Sequence, residues 1–203
     1  MSADRAAVLQ NVAKALAPLG ERAPLPDWDD ALVVTRKARG ATDLWMLFAE
    51  QLRKVNGVPM TSPAELAALL AKNNWTHGYC DPGLWPQLQG ALPKSLTVET
   101  AFDRRRTDDY EFGITVARGV IAETGTVILT DRGTPSRLAA LAPWVHVAVI
   151  QKGRIFRDVP AAVGAIGDDP NIIWCTGPSK TADVEGILIE GVHGPGQQWV
   201  LCL

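Results

Sequence analysis

The sequence predicts an α/β protein in which a mostly parallel sheet is flanked by helices and preceded by a helical N-terminal arm. Three observations carry that expectation. Short, near-continuous apolar runs recur at residues 126–130, 145–150 and 171–176, a pattern that suits strands buried on both faces. Capped helix signatures are interleaved with them, as alternating strand and helix units require. A length of 203 residues, 47% of them hydrophobic and 21% charged, suffices to bury a core.

Residues 4–17 read as an amphipathic helix, with Ala6, Leu9, Ala13 and Leu16 at helical spacing. Ser2 or Asp4 can cap its start, and Pro18, Leu19 and Gly20 end it. Residues 21–30, with two prolines and four acids, read as an extended linker. A second helix is expected over residues 42–55, striped by Leu44, Leu47, Phe48, Leu52 and Val55, with Gly57 where a left-handed cap belongs. Residues 1–57 would then be an N-terminal helical arm and linker, packed on the main domain or on a neighbour, and residues 58–203 the α/β domain. Within the latter, Ser62, Pro63 and Glu65 combine a capping box with proline at the first helical position, opening a helix to about residue 72. Strands are expected at 77–80 and 96–99, a helix at 112–121, strands at the three apolar runs, and a closing strand at 199–203.

Composition excludes several classes of function. Lys and Arg number 20 and Asp and Glu 22, without a basic half or acidic tail, which argues against a protein built around nucleic-acid phosphates. The three cysteines, Cys80, Cys175 and Cys202, stand far apart, so no disulfide framework, CxxC redox pair or four-cysteine cluster site is expected. No cofactor of its own follows. The N-terminal residues lack the apolar core of a secretory signal and no apolar run reaches transmembrane length, so a reduced, cytoplasmic protein is the expectation. Dinucleotide, Walker-type, His-Glu-x-x-His and Gly-x-Ser-x-Gly signatures are all missing.

The residues with chemical potential fall into three motifs. Gly177, Pro178, Ser179, Lys180 and Thr181, running on to Asp183, follow an expected strand. If Ser179 or Thr181 caps a helix there, backbone N–H groups, hydroxyls and Lys180 make an anion site. The other reading is a capped strand-to-helix junction with Lys180 in solvent. Glu123, Thr124, Gly125 and Thr126 offer a carboxylate and two hydroxyls around one flexible step; the glutamate is a base, a nucleophile or a structural acceptor. His193, in the turn Gly191 to Gly196, has the ring suited to proton transfer, or serves as a strut. Arg137, near the end of the 126–130 strand, is a partner for a carboxylate or phosphate. His146, inside an apolar strand, reads as a satisfied core residue.

Together these motifs resemble the LUD-domain family, in its lactate-utilization protein C type. The resemblance rests on Ala122 to Thr126, on Pro143 followed by His146, on Gly177 to Glu185 and on Gly191 to Pro195, in that order. Two positions depart from the family pattern: Lys180 where Arg is usual, and Val184 where Ile is usual. The resemblance implies a sheet of the NagB/RpiA/CoA-transferase-like type and a role in bacterial oxidation of L-lactate to pyruvate beside iron–sulfur partner subunits. Catalytic roles then fall to Glu123, Asp183 and His193, and ligand contacts to Thr124, Gly125, Thr126, Arg137 and residues 177–181. The leading expectation is a non-redox subunit of that system. The alternatives are a CoA-transferase-like or ligase-like enzyme using Glu123, and a regulatory module that binds an anionic metabolite.

Overall fold

A computed structural model describes residues 3–18, 36–182 and 187–203, and the chain divides into two compact units, Met1–Ala31 and Leu32–Leu203. In the first unit, helix α1 (Ala3–Leu16) carries Asp4 in its first turn and Lys14 in its last, each at the end its charge favours. The linker expected at 21–30 lies outside the described residues.

In the second unit, α2 (Arg36–Gly40) leads to α3 (Leu44–Lys54), where the Asp43 side chain accepts from the Met46 N–H at 2.9 Å. The helix ends one residue earlier than Gly57 suggests. Asn56 takes the left-handed conformation (φ 66°), and the Gly57 N–H returns to the Leu52 carbonyl at 2.8 Å, closing a Schellman turn. Gly57 is required for space, because a Cβ there would meet Leu52 Cδ1 at 2.3 Å. α3 buries Leu47, Phe48 and Leu52, each worth about 1.5–3 kcal/mol.

Six parallel strands form the main sheet: β1 (Val58–Met60), β2 (His77–Cys80), β3 (Thr97–Glu99), β4 (Phe112–Val116), β7 (Val145–Ile150) and β12 (Gln197–Cys202), in the order β1-β12-β7-β4-β2-β3. Helix α4 (Pro63–Lys72), capped by Ser62 as expected, and α5 (Trp85–Leu88) cover one face. There Leu66, Leu70 and Leu88 pack on Phe112, Ile114, Val145, Val147, Trp199 and Leu201. Strand alternation sends Ala148, Ile150, Val200 and Cys202 to the other face, onto α3 and α6 (Arg137–Leu141).

Beyond α3 lies a second sheet, β8-β5-β6-β9, made of β5 (Gly119–Ile121), β6 (Thr126–Thr130), β8 (Ile155–Phe156) and β9 (Ile172–Cys175). Its outer residues Ile121 and Ile128 are covered by Ala162 and Ile166 of α7 (Val159–Ile166). A two-stranded antiparallel ribbon, β10 (Lys180–Ala182) with β11 (Leu188–Glu190), follows β9. Among the described residues no helix is long and apolar enough to cross a membrane.

Three local expectations are corrected. Residues 112–121 are strands β4 and β5, not a helix. Their glycines mark close backbone approaches: a Cβ on Gly113 would lie 1.8 Å from the Ala139 carbonyl oxygen, and one on Gly119 would strike Phe156 at 2.6 Å. The 126–130 and 171–176 runs pair antiparallel with each other in the smaller, mixed sheet, the first fully buried and the second part-exposed, with Trp174 39% exposed. Residues 180–182 form a strand, because Lys180 pairs with Glu190, so no capped helix starts at Ser179 or Thr181.

Candidate functional site

The three signature motifs converge. A chain of hydroxyls links the first two: Thr124 Oγ1 lies 2.6 Å from Thr126 Oγ1, which lies 2.8 Å from Thr176 Oγ1 beside Gly177. The second and third are joined by backbone. The Ser179 N–H donates to the Pro195 carbonyl at 2.8 Å, and the Gly191 N–H to the Ser179 carbonyl at 2.9 Å. A Cβ on Gly194 would stand 3.1 Å from Ser179 Cβ, so the absence of a side chain there lets the turns close on one another.

Between them lies a cavity of about 260 Å³, bounded by Trp174, Cys175, Pro178, Ser179, His193 and Gln198, with His146 among its lining residues. It opens at the amino ends of β7 and β12, where His146 and Gln198 sit. These two residues are fully buried polar groups held in a chain with Thr115: His146 Nδ1 is 3.0 Å from Gln198 Oε1 and Nε2 is 2.9 Å from Thr115 Oγ1. The Gln198 amide nitrogen faces the Trp199 carbonyl at 3.3 Å, leaving Oε1 to accept. Nδ1 therefore carries the proton and Nε2 accepts from the Thr115 hydroxyl. Burial pushes the His146 pKa down to about 4, against the Gln198 bond, which raises it. The ring is neutral near pH 7 and ties β7 to β4 and β12. Burial also pushes the Cys175 thiol up to about 11, so the cavity presents a thiol, not a thiolate.

Other expected site residues are placed elsewhere. Glu123 is half-buried in the β5–β6 turn, where its N–H donates to the Arg157 carbonyl at 3.1 Å, and it is not among the lining residues. Arg137 is the first residue of α6, behind the Ser136 cap, and is held in an ion pair with Asp131. Lys180 reaches Glu190 at 3.5 Å, and the same carboxylate accepts from Asn56 at 2.8 Å. Thr181 lies on β10. Asp183 lies outside the described residues. The anion nest expected at Gly177 is thus altered: the Ser179 N–H is committed to Pro195, and Lys180 to a carboxylate. Among the described residues of the expected set, His193, exposed at the rim, is the one ionisable side chain that lines the cavity. Gln198, Trp174 and Cys175 were missed, because nothing in their local sequence marks them; long-range strand pairing alone brings them here.

A parallel sheet backed by a mixed one, with glycine turns fastened around a small recess, defines an α/β protein. The family it represents follows from comparison with known proteins. The chain belongs to the LUD domain family, whose model matches residues 85–203. It is similar to lactate utilization protein C of Geobacillus thermodenitrificans (strain NG80-2), 28% identical over 95% of this chain and 92% of that one. Lactate utilization protein C of Bacillus subtilis (strain 168) is 27% identical over 76% of this chain and 66% of its own length. Among solved structures, a DUF162 family protein from Deinococcus radiodurans shares the fold with a TM-score of 0.56, at 21% identity, over 78% of this chain and 95% of that one.

Proposed function

We propose that this chain is a non-redox subunit or accessory protein of a lactate-utilization system, working in the cytoplasm with iron–sulfur partner subunits that take the electron pair released when L-lactate becomes pyruvate. The observation that carries this reading is the similarity along nearly the whole chain to a relative named for lactate utilization, 95% of this chain against 92% of that one.

The placement of the cysteines supports the non-redox part. Cys80 and Cys202 are buried on opposite faces of the six-stranded sheet, and Cys175 belongs to the other sheet. Burial, then the nearby Asp81 carboxylate, pushes the Cys80 thiol up to about 12. Thiols so separated and so reluctant to ionise do not fit a cluster site, which needs several thiolates converging on one centre. The neutral cavity beneath His193 then serves recognition of a small ligand or of a partner's side chain.

The test is made on the purified chain alone. Ultraviolet–visible spectra and an L-lactate assay with an artificial electron acceptor should show neither flavin or iron absorbance nor turnover. Turnover by the chain alone would overturn the reading.

A further inference from the structure

The cavity formed by the signature motifs lies at the amino ends of the parallel strands, whereas open parallel sheets usually bind ligands beyond the carboxyl ends. Because all six strands of the main sheet run parallel, their carboxyl ends share one edge. A crevice of about 600 Å³ opens there, lined by residues that follow β2, β4 and β7. Its size falls in the range of small-molecule sites, roughly 300–1,000 Å³.

The lining has two characters. Leu84, Val149 and Ile150 supply apolar wall; Arg118 and Arg154, with the amides of Gln87 and Gln151, supply donors, and no acidic side chain is among the described lining residues. In a chain of formal net charge −2, that is a local concentration of positive charge. Arg118 is held in place: its Nη2 donates to the Ala165 carbonyl at 3.0 Å and its Cδ lies 3.5 Å from where a Cβ on Gly133 would stand. A guanidinium has five N–H donors, so most remain for a ligand. Arg154 has no ion pair with any carboxylate among the described residues.

We propose that this carboxyl-edge crevice binds a small organic anion, with its carboxylate or phosphate held by Arg118 and Arg154 and its body against the apolar wall at Leu84 and Val149. The proposal stands apart from the lactate-utilization reading, since it rests on the sheet edge and its arginines alone. Arginine suits either oxyanion through paired N–H donors.

The test is an NMR and calorimetric titration of the full chain with two sets of probes. L-lactate and pyruvate form the carboxylate arm; inorganic phosphate and AMP form the phosphate arm. At least one probe should bind and shift amides of residues 117–118 and 149–154. Arg154→Ala, a change at an exposed position, should weaken that probe about tenfold or more, and Arg154→Lys less. Arg118→Lys, which keeps the charge but loses the paired geometry, should also weaken it. The arm that binds identifies the acidic group. Failure of all four probes, unchanged affinity in Arg154→Ala, or shifts centred on residues 175–179 would each overturn the proposal.

Discussion

Gly177 is pressed against Val55: with φ at +75°, a Cβ on it would stand 2.1 Å from the Val55 carbonyl oxygen. Gly125 repeats the arrangement one turn earlier on α3, its Cβ position 2.6 Å from the Leu52 nitrogen at φ +69°. The glycines of two signature motifs are therefore fitted to the end of one helix, and the hydroxyl chain from Thr124 to Thr176 ties the turns together.

Gly177→Ala should accordingly destabilise the protein by at least about 2 kcal/mol, from the positive φ and the backbone clash together. Gly164→Ala is the control. Gly164 sits in α7 with nothing within 4 Å of its Cβ position, so alanine there should raise stability by about 0.5–1 kcal/mol. Urea unfolding of both variants checks the pair. A Gly177→Ala protein as stable as its parent would contradict the packing described.

Stability should also fall as the medium is acidified, before most carboxylates titrate. His146 ionises near 4 in the folded chain, while an unfolded histidine ionises near ~6.5. As pH drops from about 6.5 to 4, the unfolded chain takes up the proton first, so the folded state loses up to about 3 kcal/mol across that window and no more below it. Denaturant unfolding at a series of pH values reads this slope. In His146→Gln the slope should flatten, even though stability at pH 7 is lower.

Thiol reactivity offers a third check. Cys80 and Cys202 are buried, and burial raises the pKa of all three thiols, that of Cys175 to about 11, so that they stay protonated. An aromatic disulfide reagent at pH 7.5 should find no fast-reacting thiol in the native protein and all three after denaturation. A fast thiol at Cys80 would mean that its strand is open.

Much of the fold was legible in the sequence because it is set locally. The Ser62 cap, the stripe on α3 and the apolar runs of β7 and β12 each state their structure within a few residues. Residues 112–121 did not, since their glycines weaken a strand pattern as much as a helix, and their reason is contact with Ala139 and Phe156, far along the chain. The same misreading hid Arg118. Once 112–116 is a strand, Arg118 stands just past its carboxyl end, as Arg154 does past that of β7, and the pair becomes visible.

The candidate site was legible as a set of motifs but not as chemistry. Their convergence depends on the Thr126–Thr176 bond and on the Ser179–Pro195 backbone pair, both products of tertiary folding. Arg137 and Lys180 looked available in the sequence, but Asp131 and Glu190, each close by in the chain, engage them once the local turns form.

Affinity isolation of the tagged chain from its own host grown on L-lactate tests whether the chain serves lactate utilization without a redox centre, beside subunits that have one. Iron–sulfur proteins should co-isolate, with iron absorbance and L-lactate oxidation in the assembly and neither in the separated chain. Recovery of the chain alone from lactate-grown cells, with lactate oxidation unimpaired when it is deleted, would contradict it.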